Sequence, residues 1–291
     1  MESAIVFDCE GSALIGILSL PEKPPRRGVI FVVADGPQYR VGAQRQFVVL
    51  ARSMQAQGYA ALRFDYRGMG DSEGVHRGFM HVDNDIRAAV DALLAHAPSV
   101  EELVLWGECD SSAAVLFYAN KDPRIKGISI ANPWVRTEES RAKTMVKHYY
   151  GQRLLQGNFW KKLITFEFDY RASLASLWRN ILLMVKPGHK AGGADGQCEE
   201  RSAEQAHAEP LPNRLEAGLR KFAGPVLLIL SGRDWIATEF LEVVASSPAW
   251  QELLAAKRVT RHEIVGADHS FSKREWRDEL VRHNCQWLST W

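Results

Sequence analysis

The sequence predicts an α/β fold in which a mostly parallel, doubly wound sheet carries an inserted cap. Three observations predict it. Short apolar runs alternate with segments whose apolar residues recur at helical spacing. Polar residues suited to catalysis follow several of the runs, where loops gather at the carboxyl end of a parallel sheet. The 291 residues, 46% of them hydrophobic, can bury one large core, which fits a single domain with an insertion better than two independent domains.

The elements follow in chain order. Residues 4–7 and 14–20 predict an initial hairpin. Apolar residues at helical spacing predict helices over 46–57 and 85–95. Ser272 with Glu275 resembles a capping box that opens a final helix. The mostly parallel strands are predicted over 29–33, 60–64, 103–106, 128–131, 226–230 and 259–265.

The chain between the strands ending near 131 and beginning at 226 is too long for a simple crossover. We therefore predict core segments 1–133 and 216–291 with a cap over 134–215. The first part of the cap is rich in aromatic residues, which either line an acyl or aromatic pocket or pack the cap onto the core. In its second part, 186–213, Leu211 is the only large aliphatic residue. So little apolar surface predicts a flexible segment.

Cys109 lies between a predicted strand and a predicted helix. A sharp strand-to-helix turn around a nucleophile needs small residues two positions before and two after it, and these are Gly107 and Ser111. Cys109 is therefore the predicted nucleophile, with Ser111 and Ser112 as fallbacks. The alternative is an inert core residue, since a buried cysteine after a strand is more often structural.

Two further strands end in residues that complete a catalytic triad. Asp234 follows the run 226–230, and His269 follows the run 259–265. The order nucleophile, acid, base along the chain is that of the α/β-hydrolase fold. We expect His269 to take the proton of the thiol and Asp234 to orient the imidazole. Asp268 competes for that task, but a residue adjacent in sequence rarely curls back to its neighbour's ring, so Asp234 is expected within hydrogen-bond reach of His269.

The negative charge that develops on the substrate oxygen needs backbone donors. The amide of Asp110 is the first candidate, and the amide of Asp35 or Gly36, in the loop after the third strand, is the second. The alternative is that this loop only turns the chain. A helix N-terminus favours a thiolate at Cys109, whereas Glu108 and Asp110 disfavour it. The sequence leaves open which effect prevails.

Several motifs together resemble a known family. The loop Asp65–Ser72 looks like the Asp-x-Arg-Gly-x-Gly-x-Ser loop of lipases and esterases, in which the Asp and Arg brace a tight turn. The whole pattern resembles one of the hydrolase families associated with the exosortase A system. It includes 36–42 (Gly-Pro-Gln-Tyr-Arg-Val-Gly), 45–47 (Arg-Gln-Phe), 64–74 (Phe-Asp-Tyr-Arg-Gly-Met-Gly-Asp-Ser-Glu-Gly) and 106–110 (Trp-Gly-Glu-Cys-Asp).

This resemblance covers roughly the first half of the chain. It implies a bacterial α/β-hydrolase encoded alongside exopolysaccharide and protein-sorting machinery, without a settled substrate. Asp35 stands where the family often has glycine, which is a departure in the loop expected to supply an oxyanion donor.

Composition excludes several classes of function. The charge balance of 36 basic and 35 acidic residues gives +1, so no basic excess favours nucleic acid or an anionic membrane surface. We expect a cytoplasmic protein without a membrane span, because the start lacks a basic leader region and no apolar run approaches about 20 residues. His76 and His81 are expected on a solvated loop. The cysteines lack metal-ligand spacing and a compact disulfide pattern, so no metal or cofactor is expected: Cys9, Cys109, Cys198 and Cys285.

The sequence thus predicts an enzyme that cleaves a small-molecule ester or thioester through an acyl group on Cys109. An acyltransferase can use the same triad if the site excludes water. A non-catalytic scaffold for envelope polysaccharide machinery is the alternative of a different class, and alkylation of Cys109 at neutral pH discriminates it. A peptidase is less favoured because nothing specifies peptide binding, and a dehalogenase would need a carboxylate at the turn, where Asp110 is one residue out of register. The oligomeric state stays open.

Overall fold

The computed structural model of the protein describes residues 1–35, 39–136 and 209–291. The chain divides into two units, Met1–Val135 with Pro212–Trp291, and Arg136–Leu211. The first unit contains the sheet. The predicted cap, 134–215, lies mostly outside the described residues, and so does the part of its predicted flexible segment up to residue 208. The last residues of that segment, 211–213, begin a helix.

The described residues form one eight-stranded, mostly parallel sheet, which confirms the predicted fold class. The strand order is β1-β2-β4-β3-β5-β6-β7-β8, with antiparallel pairing only of β1 with β2 and of β2 with β4 within this sheet. All strands overlap those predicted, with bounds that differ by a few residues. They are β1 (Glu2–Cys9), β2 (Ser12–Ser19), β3 (Arg27–Val32), β4 (Ala60–Phe64), β5 (Glu102–Glu108), β6 (Ile125–Ala131), β7 (Val226–Ser231) and β8 (Val259–Ile264).

Helices flank this sheet and follow the apolar patterns of the sequence. No helix in the described ranges is long and apolar enough to cross a membrane. The helices are α1 (Gln46–Ala56), α2 (Asp83–His96), α3 (Asp110–Tyr118), α4 (Leu211–Lys221), α5 (Trp235–Ser246), α6 (Pro248–Ala255) and α7 (Arg274–Leu288), with short 3-10 turns at Ala43–Arg45, Phe79–His81 and Ala119–Lys121.

The predicted capping box at the last helix is wrong. Helix α7 begins at Arg274, and no side chain caps it. The hydroxyl of Ser272 instead donates a hydrogen bond to the carboxylate of Asp268, which also accepts the Ser272 amide at 2.9 Å. Ser272 therefore closes the loop that contains His269 rather than the helix.

Strands β3, β4 and β7 are buried along their whole length, whereas the edge strands β1 and β8 are partly exposed. Phe31 of β3 packs against Phe47 of α1, with 6.1 Å between ring centroids, and against Trp106 of β5 at 5.5 Å. Gly28, three residues earlier and thus on the opposite face, lies beside Leu93 of α2. Each such large side chain contributes roughly 1.5–3 kcal/mol when fully buried. The loops at the carboxyl ends of the strands therefore rest on a rigid base.

Candidate active site

Cys109 lies at a strained turn between β5 and α3. Its backbone angles are φ 59° and ψ −126°, a conformation that costs a residue with a side chain on the order of 1–3 kcal/mol. The turn is tight, because a Cβ added to Gly107 would lie 2.7 Å from the carbonyl oxygen of Ser111. The local structure is thus the strand-to-helix turn that the sequence predicts around a nucleophile.

The neighbouring hydroxyls are occupied by backbone groups. Ser111 Oγ lies 2.8 Å from both the amide and the carbonyl oxygen of Glu108, accepting from one and donating to the other. Ser112 Oγ lies 3.0 Å from the carbonyl oxygens of Gly107 and Ala131. Both serines are fully buried. Cys109 is half-buried, so of these three side chains it is the least buried.

His269 and Asp234 meet where the sequence predicts. Asp234 follows β7 and caps α5, accepting the amides of Ile236 and Ala237 at 3.2 and 3.3 Å. These bonds fix its carboxylate, whose Oδ2 lies 2.8 Å from Nδ1 of His269. Asp268, the competing carboxylate, is bound by Ser272 instead.

Burial and hydrogen bonds shift the pKa values of Cys109 and His269. Burial lowers the pKa of His269, but side-chain hydrogen bonds with Asp234 and with Cys109 outweigh it and raise the pKa to about 11. Burial raises the pKa of the Cys109 thiol, against a lowering by its hydrogen bond with His269, and the charge of Asp110 raises it further. The imidazole is therefore a strong acceptor for a thiol proton that burial would otherwise retain.

The structure shows a bridging residue that sequence reasoning missed. Asn132, fully buried at the end of β6, donates from Nδ2 to the hydroxyl of Ser231 at 2.9 Å and to the carbonyl oxygen of His269 at 3.1 Å. Its Oδ1 accepts the amide of Ser231 at 2.8 Å. The φ of Asn132 is 44°, which asparagine tolerates better than most residues do. This tolerance is the only local feature of the sequence that could indicate the position of Asn132. Asn132 ties together the loops that contain Asp234 and His269.

In the loop after β3, one of the two predicted oxyanion donors already has a hydrogen-bond partner. The amide of Asp35 donates to Oδ1 of Asp110 at 3.1 Å, so this candidate oxyanion donor is engaged. Gly36, the other candidate, lies outside the described residues. The carboxylate of Asp35 accepts the hydroxyl of Tyr66 and, at 2.9 Å, the amide of Phe79.

His76 lies on an exposed loop, as predicted, and also contacts the loop after β3. Its Nε2 lies 3.0 Å from Oδ1 of Asp35, and its ring stacks on Tyr66 with 5.9 Å between centroids. The side chain of His76 is 40% exposed. It therefore anchors the carboxylate of Asp35 while one face remains open.

Two carboxyl groups flank Cys109. Burial raises the pKa of Glu108 to about 7, against lowering by the charge of His269 and a hydrogen bond from Gln46. Burial and then the charge of Asp35 raise the pKa of Asp110 to about 7. In the described ranges, no group of three or more His, Cys, Asp or Glu side chains could hold a metal ion.

Comparisons with known proteins agree with this fold. The family model described as serine aminopeptidase, S33, matches residues 41–271. No curated protein matches the chain in sequence. Among solved structures, Est1E from Butyrivibrio proteoclasticus with ferulic acid bound is 18% identical, covers 98% of each chain and has a TM-score of 0.62.

Two other solved structures are similar at lower identity. An esterase from Pyrococcus furiosus is 14% identical with a TM-score of 0.64, covering 100% of this chain and 91% of its own. The dienelactone hydrolase from Anabaena variabilis is 14% identical with a TM-score of 0.60, covering 100% of this chain and 98% of its own. At these identities, the likeness shows the fold.

Proposed function

The chain belongs to the serine aminopeptidase (S33) family of α/β-hydrolases, and from this premise we propose that it hydrolyses an ester or thioester through an acyl group on Cys109. The family typically uses a serine nucleophile. Here the residue at the strained turn is a cysteine, and its interaction with His269 lowers the pKa of its thiol against the raising effect of burial. That pairing of a strained turn with an adjacent base is the observation that carries the proposal.

The reaction proceeds in two balanced steps. His269 takes the proton of Cys109, and the sulfur attacks the carbonyl carbon of the substrate. The bond to the leaving alcohol or thiol breaks, and the leaving group takes the proton from His269. Water then attacks the acyl group with His269 as base, which releases the acid and restores the thiol. Asp234, 2.8 Å from the ring, orients the imidazole and stabilises its charge in both steps.

Backbone amides stabilise the charge on the carbonyl oxygen in this scheme. The amide of Asp110 begins α3 and faces the sulfur of Cys109, since its hydrogen bond lowers the pKa of that thiol. The second donor is the amide of Asp35 or of Gly36 in the loop after β3. One donor of this kind is worth roughly 10²–10³ in kcat.

The substrate class rests on the fold and on the first half of the sequence. One of the structural neighbours is an esterase and another a dienelactone hydrolase, which supports an ester or thioester. The motifs resembling the exosortase A-associated family support a place beside envelope polysaccharide machinery, where transfer of the acyl group to a carbohydrate hydroxyl would use the same residues. A scaffold would have no need of a strained Cys109 hydrogen-bonded to a base, which supports an enzyme.

Peptide hydrolysis is the second candidate, because the matching family is described as serine aminopeptidases. Purified protein is assayed on p-nitrophenyl esters and coenzyme A thioesters of graded acyl length, and on aminoacyl p-nitroanilides, beside Cys109→Ala and Cys109→Ser. We expect turnover of an ester or thioester that Cys109→Ala abolishes. Turnover of the anilides alone favours the peptidase, and equal turnover by Cys109→Ala overturns the proposal.

A further inference from the structure

The carboxyl group of Asp110 binds the loop that is expected to receive the substrate oxygen. Its Oδ1 accepts the amide of Asp35 at 3.1 Å. In this fold, an amide from the loop after β3 is one of two donors for the oxyanion. A carboxylate oxygen is an acceptor of the same kind as the developing oxyanion. The residue after the nucleophile thus uses its own side chain to engage this donor.

We propose that Asp110 is an internal ligand of the oxyanion loop, which the carbonyl oxygen of the substrate displaces, so that Asp110 sets the affinity of the site for acyl substrates. This inference rests on the proposed function. It assigns to the side chain of Asp110 a role separate from that of its amide. The side chain determines how readily the amide of Asp35 becomes available.

The surroundings of Asp110 make its contact with the loop weak enough to exchange. The carboxylate of Asp35 stays in place, because Tyr66, His76 and the amide of Phe79 all bind it. Two carboxylates therefore face each other across a single amide hydrogen bond, and their repulsion opposes it. Repulsion from one fixed carboxylate lowers the cost of moving the other.

The other titratable groups around Asp110 come from three elements. Tyr66, from the loop after β4, has its pKa raised first by burial, then by the hydrogen bond and charge of Asp35, and further by the charge of Asp110. Glu108, the last residue of β5, and Cys109, at the turn after it, precede Asp110, and the charge of Asp110 contributes to raising the pKa of each. His269 reaches it through Cys109. Any pH experiment must therefore distinguish the titration of these groups from the titration of Asp110.

Protonation changes the strength of the internal ligand. The pKa of Asp110 is raised to about 7, by burial and then by the charge of Asp35. Above this pH, a charged oxygen accepts the amide of Asp35. Below it, a neutral carboxyl group accepts the same amide less strongly, by about five- to tenfold in equilibrium constant. The affinity for a carbonyl oxygen should therefore rise as the pH falls through the pKa.

Steady-state kinetics on p-nitrophenyl butyrate test this dependence. From about pH 6 to about pH 8, one pH unit on either side of the pKa of Asp110, we expect KM of the wild type to rise about three- to fivefold. Asp110→Ala should have a low KM that stays flat over this range. If Asp110 instead only braces the loop, Asp110→Ala raises KM and lowers kcat, which overturns the proposal.

Two control variants identify the titrating group. Asp83→Asn removes one acidic charge from the first turn of a different helix, α2, and should leave the pH profile of KM unchanged. Glu108→Gln removes the other carboxyl group whose pKa is about 7. A flat KM in Glu108→Gln with a pH-dependent KM in Asp110→Ala would assign the effect to Glu108 and contradict the proposal.

A binding experiment separates this inference from the proposed function. Butyramide, a neutral carbonyl compound, is titrated into the wild type and Asp110→Ala at about pH 8 while the amide resonance of Asp35 is followed by NMR. We expect the resonance of Asp110→Ala to move at five- to tenfold lower butyramide concentration. Equal concentration dependence in the two proteins overturns the inference. If butyramide shows the difference but no ester is turned over, the proposed function fails and the internal ligand stands.

Discussion

Two regions of the molecule bury titratable side chains, and they differ in what surrounds those groups. At the turn after β5, burial raises the pKa of both Glu108 and Asp110 to about 7. Between β8 and α7, the rings of His262 and His283 stack with 3.9 Å between centroids. Burial, with the charges of His262 and Arg282, lowers the pKa of His283 to about 4.

Of these two regions, only the turn combines shifted pKa values with a geometry suited to catalysis. There the perturbed groups lie beside a strained residue, Cys109, at the end of a parallel strand, and the Asp234–His269 pair comes from neighbouring strand ends. His262 lies on β8 and His283 lies within α7. Packing of the two rings accounts for the shifts in their pKa values. A perturbed pKa therefore reports burial, and it indicates a site only together with geometry.

The largest expected effect is a difference in activity between a substitution at the turn after β5 and one in the histidine pair. His269→Ala removes the proposed base and should lower kcat/KM on the best ester by roughly 10³–10⁴ or more. His283→Phe keeps a ring in the stack and should leave kcat/KM within about twofold. Kinetics and thermal unfolding of both variants check this. A similar activity loss in the two would place the catalytic base elsewhere.

Glu108 should destabilise the protein at high pH. Its folded pKa of about 7 lies above the ordinary glutamate pKa of 4.5, so between these values the folded state retains a proton that the unfolded state releases. Stability therefore falls as the pH rises through this window, by about 3 kcal/mol in full. Urea unfolding should find Glu108→Gln more stable than the wild type at about pH 8, with the difference disappearing near pH 4. A constant difference at both pH values would contradict the assignment.

His283 should give the opposite pH dependence. Its folded pKa of about 4 lies below the ordinary histidine pKa of 6.5, so between these values the unfolded state binds a proton that the folded state does not. Stability falls as the pH falls through this window, again by about 3 kcal/mol. Urea unfolding of His283→Phe should lose most of this dependence. An unchanged acid slope in the variant would show that another group causes it.

A smaller expected effect, on kcat, distinguishes a positioning role of Asn132 from a packing role. Asn132→Ala frees the loops of Asp234 and His269 and should lower kcat about ten- to a hundredfold with little change in KM. Asn284→Ala is the matched control, since Asn284 is also fully buried and bonds Ser129 at 2.7 Å and the carbonyl oxygen of Leu280 at 2.8 Å. Both should lose stability. Equal kinetics in the two variants would make Asn132 a packing residue only.

The pH profile of Asn132→Ala distinguishes a positioning role from a packing role, because a loss of packing alone does not change this profile. A base released from its position changes the pH dependence of kcat and of Cys109 alkylation, whereas a general loss of stability does not. Asn132→Asp keeps the acceptor for the Ser231 amide but loses the donor to Ser231 Oγ and His269. We expect its kinetics to lie between those of Asn132→Ala and the wild type. Wild-type profiles in both variants would contradict a positioning role.

The sequence predicts those features that depend on neighbouring residues. Each core strand is a run of apolar side chains, and the turn at Cys109 needs only small residues nearby, so both are visible locally. The partners of Asn132 lie 99 and 137 residues away, and the partner of the Asp35 amide lies 75 residues away. The capping box fails because Asp268, four residues before Ser272, captures its hydroxyl. Tertiary contacts decide the cases of Asn132 and Asp35, whereas the capping box is lost to a competing local contact.

The central claim is that Cys109 carries the acyl group. Wild-type enzyme is mixed with an activated ester that it turns over, quenched in acid within the steady state, digested and mapped by mass spectrometry. We predict an acyl group on the peptide that contains Cys109, released by neutral hydroxylamine as a thioester is, and absent from Cys109→Ala. An acyl group on Ser111 or Ser112, or turnover by Cys109→Ala at the wild-type rate, would contradict the account.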